Sequence, residues 1–420
     1  MKSNPKHSQP HRAQSAEIAE NAGSNQSTAS RWINAGRWLI GTPWGRLVII
    51  IALCAALAPS VLRGFHLRYY IDLDVYAAGG RAVLTGQSLY EDGFDVRGAH
   101  LPFTYPPLAA MLFAPLSLLP HSVAAVTMLA ASTAALWWCI HRIVDTLGLA
   151  EYLGGSKGWL NTGLLALALV TEPVRQTLMF GQINIVLMFL VFADVFGRRS
   201  LRGWGVGLAA AIKLTPAVFG LYFLITRQFK AAAMSVATGI AATLLAALVL
   251  PADSREYWTQ TLGDPTRIGG IDFVGNQSLR GVVERALGPG EGHGLWVGAS
   301  LVAFCVIAVT MWRHRGDMVA LLGLNSLVAL LISPVSWSHH WVWLPVLLLP
   351  QLVRWARGGV PGATLVSIAT MLLTFIGPHW FVDGLDTTQW WAAICAADFV
   401  LIAVAYLVLA VRAPRPRVNS

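Results

Sequence analysis

Long apolar runs separated by short polar stretches dominate the chain between residues 46 and 412. Because a membrane-spanning helix needs about 20 mostly apolar residues, these runs are candidate membrane spans. They are 47–63, 122–142, 158–172, 183–197, 230–250, 294–312, 317–333, 339–354, 360–377 and 389–411. The pattern predicts an all-α polytopic membrane protein.

Two further apolar stretches do not fit a simple span. Residues 106–119 are short and interrupted by proline, which favours an interfacial helix on the outer membrane surface. Residues 203–226 contain Lys213, Thr215 and Pro216. We expect two short helices there, which meet at a break that lines a cavity.

The charges between the runs predict their orientation, because loops rich in Lys and Arg stay cytoplasmic. Counting 203–226 as two crossings places every basic cluster on one side and gives about twelve spans with both termini inside. A single crossing there would put the later basic clusters outside and is the weaker alternative. The pattern therefore predicts a disordered cytoplasmic tail (1–45) and a second cytoplasmic tail (413–420). Between them it predicts a transmembrane domain (46–412) with two large extracytoplasmic loops, 64–121 and 251–293.

Composition supports a membrane protein. Hydrophobic residues make up 55% of the chain and charged residues 12%, about half the charged fraction of a soluble domain. The net charge of +9 lies in short clusters between apolar runs, which is typical of cytoplasmic loops and argues against nucleic-acid binding. The four cysteines lie in apolar runs without CxxC spacing, so we expect ordinary packing roles for them. No other His, Cys or Asp cluster has metal-ligand spacing, so no metal site is expected, and a divalent ion at an outer carboxylate is the alternative.

Polar side chains collect on the face predicted to be extracytoplasmic. Ionisable groups at membrane depth are costly, so they are candidates for a functional cavity. The candidates are Asp72, Asp74, Tyr76, Tyr105, Gln182, Asn184, Lys213, Asn276, Gln277, Trp337, His339 and His340.

Each of the stronger candidates has an ordinary alternative. Lys213 is either a lysine that snorkels from a helix end or a cation for a phosphate. His339 and His340 belong either to an interfacial aromatic belt or to a phosphate or sugar site. Adjacent helical residues point about 100° apart, so we expect only one histidine to face a ligand. Gln182 and Asn184 either form a polar helix start or bind a hydroxyl-rich ligand.

The chain lacks a Walker-type phosphate loop. An ATP-driven pump is therefore disfavoured. A secondary transporter or lipid flippase stays open, since broken helices and a lysine at membrane depth occur in such proteins.

Six short motifs together resemble one known family. They are IDLDVY (Ile71–Tyr76), TYPPLAAMLFAPLSLLP (Thr104–Pro120), FGQIN (Phe180–Asn184), GLAAAIKLTPA (Gly207–Ala217), GNQSLRG (Gly275–Gly281) and SPVSWSHHWVW (Ser333–Trp343). In this order they resemble the actinobacterial polyprenyl-phosphate-mannose-dependent α-(1→2)-mannosyltransferases, which are membrane glycosyltransferases of the GT-C class.

The resemblance implies a plasma-membrane enzyme with an extracytoplasmic active site and a GT-C fold. It implies transfer of mannose with inversion from mannosyl-β-phosphoryl-polyprenol to a mannoside. The acceptor would be a phosphatidylinositol mannoside or the mannan backbone of lipomannan or lipoarabinomannan. No cofactor is expected, because the donor already carries its leaving group.

The resemblance also assigns roles to residues. The acid of its first motif falls on Asp72, which we expect to act as the base, because transfer by one displacement needs a carboxylate that accepts the acceptor's proton. Asp74 occupies a variable position of that motif. Lys213 and one of His339 and His340 would stabilise the departing phosphate, and the other candidates would contact substrate. A protein O-mannosyltransferase or an arabinosyltransferase of the same fold is the alternative within the class.

Overall fold

The computed structural model describes residues 34–65, 70–91, 93–153 and 156–414. These residues form an α-helical protein in which the helices α1 to α20 are Asn34–Gly41, Pro43–Phe65, Ile71–Thr85, Pro107–Ser117, His121–Thr146, Leu149–Leu153, Lys157–Val170, Glu172–Phe180, Asn184–Phe196, Trp204–Ile212, Gly220–Ile225, Phe229–Val249, Pro251–Thr259, Leu279–Leu287, His293–Arg313, Met318–Ile332, Leu349–Arg357, Ala363–Ile376, Trp390–Ala396 and Asp398–Arg412. Strands β1 (Phe94–Val96) and β2 (Ala99–Leu101) form one antiparallel hairpin in which Phe94 pairs with Leu101.

Short 3₁₀ segments connect several helices, and one π-helical segment leads into α17. The 3₁₀ segments are Arg199–Leu201, Thr215–Phe219, Thr261–Gly263, Pro265–Ile268, Ser338–His340 and Pro378–Val382, and the π-helix is Leu344–Leu348.

By length and composition, three of the described helices are able to cross a membrane: α5, α12 and α15. Three bent pairs raise this number to six if each pair is one span: α1 with α2, α8 with α9, and α19 with α20, which bend by 82°, 113° and 75°. Shorter apolar helices make up most of the remaining apolar runs. The count of about twelve spans and the outer position of α4 therefore stay predictions.

Several boundaries differ from the expectations. Residues 34–41, inside the stretch expected to be disordered, form α1, where Ile40 is buried. The run 158–172 ends as a helix at Val170, because Thr171 is extended and α8 starts at Glu172. The rest of the predicted N-terminal tail, residues 1–33, lies outside the described residues, as do residues 415–420.

The expected break in 203–226 is present. Helix α10 ends at Ile212, Lys213 is extended, and a 3₁₀ turn that contains Pro216 leads into α11. Proline has no backbone N–H and favours a first helical position, so a new helical segment starts beside it. The break leaves Lys213 between two short helices.

The described residues form one large apolar cluster among the apolar helices, a second around α3 and α4, and a small third around α19. In the second cluster the ring of Tyr76 stacks on Phe113, with 4.2 Å between ring centroids. Tyr105 meets Tyr76 edge to face at 5.2 Å. This aromatic packing places the start of α3 beside Gln182, which follows α8.

Candidate functional site

A cavity of about 420 Å³ lies where six parts of the chain meet. Its walls come from the start of α3, the segment 101–106, Gln182, the break at Lys213, the loop 257–268, and the segment 333–340. Of the predicted site residues, the cavity wall contains Asp72, Tyr105, Gln182, Lys213, Trp337, His339 and His340.

Asp72 and Asp74 point to different places because they lie on a helix. Tyr70 precedes α3 in the left-handed conformation (φ 44°, ψ 34°), and the helix starts at Ile71. Residues two apart on a helix diverge by about 200°. Asp72 lines the cavity, whereas Asp74 forms an ion pair with Arg97 and accepts a hydrogen bond from Nδ1 of His121 at 2.8 Å.

A glycine allows α3 to approach the end of α8. Gly181 has a φ of +69°, and a Cβ there would lie 2.8 Å from the Cβ of Leu73. Only glycine fits both the left-handed backbone and the close contact. The backbone N–H of Tyr70 also donates to the carbonyl of Met179 at 2.9 Å. Together these contacts hold Asp72 next to Gln182.

The amide of Gln182 is oriented by two tyrosines. Its Oε1 accepts from the hydroxyl of Tyr76 at 2.7 Å and from that of Tyr105 at 3.0 Å. The NH₂ group is then free to donate, and the side chain bonds the carboxylate of Asp72. Burial and the nearby charge of Asp72 raise the pKa of Tyr105, so it stays a hydroxyl donor at neutral pH.

Burial raises the pKa of Asp72 to about 6, against the opposing effects of the Gln182 hydrogen bond and the positive charge of Lys213. Burial disfavours the charged form of a carboxyl group, and both partners favour it. A carboxyl group with a pKa near 6 is ionised at neutral pH and is a stronger base than an ordinary aspartate. Asp72 is thus suited to proton acceptance.

Lys213 makes its direct contacts with neutral groups. Its Nζ donates to Oδ1 of Asn184 at 2.9 Å and lies 3.2 Å from Nε2 of His340. An ammonium group only donates, so Nε2 of His340 accepts and its proton sits on Nδ1. The ammonium also lies 5.3 Å from the ring centroid of Tyr105. These partners orient the cation without neutralising it.

The two histidines occupy a 3₁₀ turn at the edge of the cavity. The carbonyl of His339 accepts from Oγ1 of Thr177 at 2.7 Å and from Nδ2 of Asn184 at 3.1 Å. Both imidazoles line the cavity, although we expected one of them to do so. A 3₁₀ turn followed by an irregular segment replaces the helix start that this expectation assumed. Among the described residues, Nε2 of His339 is buried and has no hydrogen-bond partner.

The remaining predicted site residues lie outside this cavity wall. Tyr76 and Asn184 stand one hydrogen bond behind it, through Gln182 and Lys213. Asn276 and Gln277 are fully buried, and their amides bond backbone groups. Asn276 donates to the carbonyls of Ile271 and Pro334 and accepts from the N–H of Ser336. The amide of Asn276 therefore supports the 333–340 segment, whereas that of Gln277 ties its loop to Ala396 and Phe399.

We expect Asn276→Ala to destabilise the protein rather than to change substrate affinity alone. The change leaves the buried carbonyl of Ile271 and the buried N–H of Ser336 without this partner, at about 1–3 kcal/mol for each. Thermal unfolding of the purified protein should show a clear fall in Tm. Gln260→Ala, at an exposed glutamine of the same loop, is the control. An unchanged Tm with a raised acceptor KM would instead indicate a direct substrate role for Asn276.

Some cavity residues were not singled out from the sequence. Tyr257, Asp264 and Arg267 belong to the loop 251–293 and line the cavity. The guanidinium of Arg267 donates to the carbonyl of Tyr90. The sequence signal was only that this loop is large and rich in charge. Within the part of the chain that the structure describes, no three His, Cys, Asp or Glu side chains converge as metal ligands would, and the absence of a metal stays a prediction.

Comparison with known proteins identifies the family. Residues 103–334 match Glycosyltransferase family 87. The chain belongs to this family. The resemblance drawn from the six motifs is confirmed, the protein is a glycosyltransferase of the membrane-bound GT-C class, and a transporter or flippase gains no support.

Relatives extend the match beyond this range. The chain is 39% identical over 371 residues to a polyprenol-phosphate-mannose-dependent α-(1-2)-phosphatidylinositol mannoside mannosyltransferase of Mycobacterium tuberculosis, covering 82% of this chain and 85% of the relative. It is 37% identical over 352 residues to a polyprenol-phosphate-mannose-dependent α-(1-2)-phosphatidylinositol pentamannoside mannosyltransferase of Mycolicibacterium smegmatis, covering 82% and 84%. A more distant relative, at 26% identity over 72% of this chain and 81% of its own length, is an α-(1->3)-arabinofuranosyltransferase of Corynebacterium glutamicum.

Proposed function

We propose that this glycosyltransferase moves mannose from mannosyl-phosphoryl-polyprenol to a mannoside acceptor, with inversion, in an α-(1→2) linkage. The observation that carries the proposal is one cavity lined by both a carboxylate, Asp72, and a cation, Lys213. The names of the two mycobacterial relatives support the donor and the linkage. They also favour a phosphatidylinositol mannoside as acceptor, with the mannan backbone of lipomannan or lipoarabinomannan as the related possibility.

Asp72 is proposed to act as the base. As the acceptor hydroxyl attacks the anomeric carbon of the donor, its proton passes to the carboxylate, and the bond from that carbon to the phosphate oxygen breaks. Gln182 holds the carboxylate in place, because its own Oε1 is held by two tyrosines. This single displacement inverts the anomeric centre, as in an inverting glycoside hydrolase with water in place of the acceptor.

Lys213 and the two histidines are proposed to stabilise the departing polyprenyl phosphate. The leaving group gains negative charge as the glycosidic bond breaks, and fixed donors placed around it lower the barrier. Within the described residues, the side chains that Lys213 hydrogen-bonds, Asn184 and His340, carry no negative charge. The unpartnered Nε2 of His339 is a further available group. No cofactor is required, because the phosphate is part of the donor.

An apolar groove supplies a route for the polyprenyl chain. It has a volume of about 550 Å³ and runs between α10 and α12. Leu214 lines both this groove and the site cavity. We propose that the lipid tail lies in the groove while its phosphate reaches Lys213. Together with the charge pattern of the loops, this supports a reaction at the extracytoplasmic side of the plasma membrane.

The proposal is tested by incubating the purified protein in lipid nanodiscs with a mannoside and labelled mannosyl-phosphoryl-polyprenol. Labelled GDP-mannose and arabinofuranosyl-phosphoryl-polyprenol are the comparison donors. We expect label in the acceptor from the mannosyl lipid alone. Transfer from the arabinofuranosyl lipid alone would favour the activity named for the corynebacterial relative. No transfer from the mannosyl lipid by folded protein would contradict the proposal.

The acidity of Asp72 predicts a pH dependence. The base works only when ionised, so kcat/KM should rise with pH through about 6 and level off above it. Gln182→Leu removes a hydrogen bond that lowers the pKa of Asp72, so the rise should move to higher pH. The hydroxyls of Tyr76 and Tyr105, 2.8 Å apart, are able to pair with each other in this variant. An unshifted profile in Gln182→Leu would contradict the assignment.

A further inference from the structure

A second polar cluster lies behind the 3₁₀ turn that contains the two histidines. Oε1 of Glu172 accepts from Oγ of Ser338 at 2.7 Å and from Nε1 of Trp380 at 2.8 Å. Nε2 of His379 lies 3.6 Å from the same oxygen. Nδ1 of His379 is 3.0 Å from both oxygens of Asp398. Glu172 and His379 have no solvent-exposed surface, and Asp398 is 2% exposed.

The charges of this cluster balance. His379 faces the carboxylates of Glu172, from α8, and Asp398, from α20. Arg285, from α14, attracts Asp398 electrostatically. Burial alone would lower the pKa of His379, but the hydrogen bond to Asp398 and the negative charges of Asp398 and Glu172 together outweigh it and raise the pKa to about 9. Buried charges are costly unless each is paired, so a cluster of this kind is not explained by general packing.

The cluster joins segments that are far apart in the sequence. Two of them, α8 and the turn Ser338–His340, lead to the site. Ser338 is the first residue of the turn Ser338–His340. Glu172 is the first residue of α8, and Gln182 follows the end of this helix. Asp398 lies at the bend between α19 and α20. The hydrogen bond that Oγ of Ser338 donates to Glu172 therefore connects the histidine turn to α8 and, through the cluster, to α20.

A glycine shows that the turn at 377–380, which contains His379, must come close to Glu172. Gly377 has a φ of +63°, and a Cβ there would lie 3.0 Å from Cγ of Glu172 and 3.1 Å from Cδ1 of Trp380. A side chain would oppose both the backbone conformation and this contact. The turn at 377–380 is thus packed directly on the carboxylate, which fixes the direction in which Oε1 points.

We propose that Glu172, held by His379 and Asp398, is a positioning residue that sets the place of the His339–His340 turn through Ser338. The inference rests on the proposed function, in which the turn and Lys213 surround the donor phosphate. Nε2 of His340 is 3.2 Å from Nζ of Lys213, so a shift of the turn would change the shape of the phosphate site. A misplacement of about 1 Å costs about 100-fold in rate in well-studied enzymes.

The first test compares two buried serines. Ser338→Ala removes the hydrogen bond to Glu172, whereas Ser326→Ala removes the hydroxyl of an equally buried serine whose bond stays within its own helix. We expect Ser338→Ala to lower kcat about 10- to 100-fold, with a Tm equal to that of Ser326→Ala. Equal kcat values for the two variants would overturn the positioning role.

The second test uses rescue by a conservative variant. Glu172→Gln keeps an Oε1 acceptor for Ser338 and Trp380, whereas Glu172→Ala removes it. We expect kcat of the alanine variant to be about 100-fold below that of wild type. The kcat of the glutamine variant should be at least about tenfold above that of the alanine variant. The same kcat for both variants would overturn the role of the acceptor oxygen. The donor KM should change much less than kcat in each variant.

A failure of the proposed function is distinguishable from a failure of this inference. If the wild type transfers no mannose, the proposed function fails. The positioning role is then tested by the binding of polyprenyl phosphate, which is measured by the shift in Tm that the ligand produces. Ser338→Ala must weaken this binding more than Ser326→Ala does, and equal binding by the two variants would overturn the inference.

Discussion

Asp72→Asn is expected to lower kcat for mannose transfer by about 10³-fold, with little change in the donor KM. Asparagine has nearly the same shape as aspartate, so the cavity and the hydrogen bond with Gln182 are retained in outline. It cannot accept the proton of the acceptor hydroxyl, and general-base catalysis contributes about 10²- to 10⁴-fold. Steady-state kinetics with the mannosyl lipid and a mannoside measure the effect.

Asp74→Asn is the matched control, two residues along the same helix. Asp74 pairs with Arg97 and His121 outside the cavity wall. Loss of such a partly exposed pair costs about 1 kcal/mol of stability or less, and transfer should stay within a few-fold of wild type. Equal losses of kcat in the two variants would show that both carboxylates act, and loss in Asp74→Asn alone would reverse the assignment.

Lys213→Ala is expected to lower kcat by about 10²- to 10³-fold, the usual effect of removing one donor that stabilises charge in a transition state. The donor KM should also rise, because the ground-state phosphate already carries a negative charge. Asn184 and His340 lose their shared partner in this variant, so Tm is measured alongside the kinetics.

Lys230→Ala is the control for removal of a positive charge. Lys230 is exposed near the start of α12, in a basic cluster predicted to be cytoplasmic. Its loss should leave kcat and the donor KM unchanged. If Lys213→Ala and Lys230→Ala behave alike, Lys213 is a snorkelling lysine and the phosphate must be held by other groups.

The apolar pattern was sufficient to predict the helical fold and the break at Lys213, since spans and proline interruptions are local features. It failed at Thr171, where the apolar run continues in composition but the backbone turns before α8. The separation of Asp72 from Asp74 depended on whether the segment is helical. That was decided by the left-handed Tyr70 and the contacts around Gly181, neither of which periodicity reveals.

Some of the site residues were likewise predictable from the sequence, and others were not. Motif resemblance selected Asp72 as the base, and their place among the apolar runs selected Lys213 and the histidine pair; all of them line one cavity. Asn276 and Gln277 were predicted as site residues as well. A buried amide that supports a loop and an amide that binds sugar have the same sequence signature, so the sequence does not distinguish them. The cluster around Glu172 joins residues separated by up to 226 positions, from Glu172 to Asp398, and only the folded chain brings them together.

The anomeric configuration of the product tests the central claim most directly. Purified protein is given mannosyl-β-phosphoryl-polyprenol and a defined mannoside, and the new linkage is read by NMR. A base that activates the acceptor in one displacement yields an α-linked mannose, and this is the result expected here. A β-linked product would require two displacements through a covalent intermediate, and would contradict the role of Asp72 as a base.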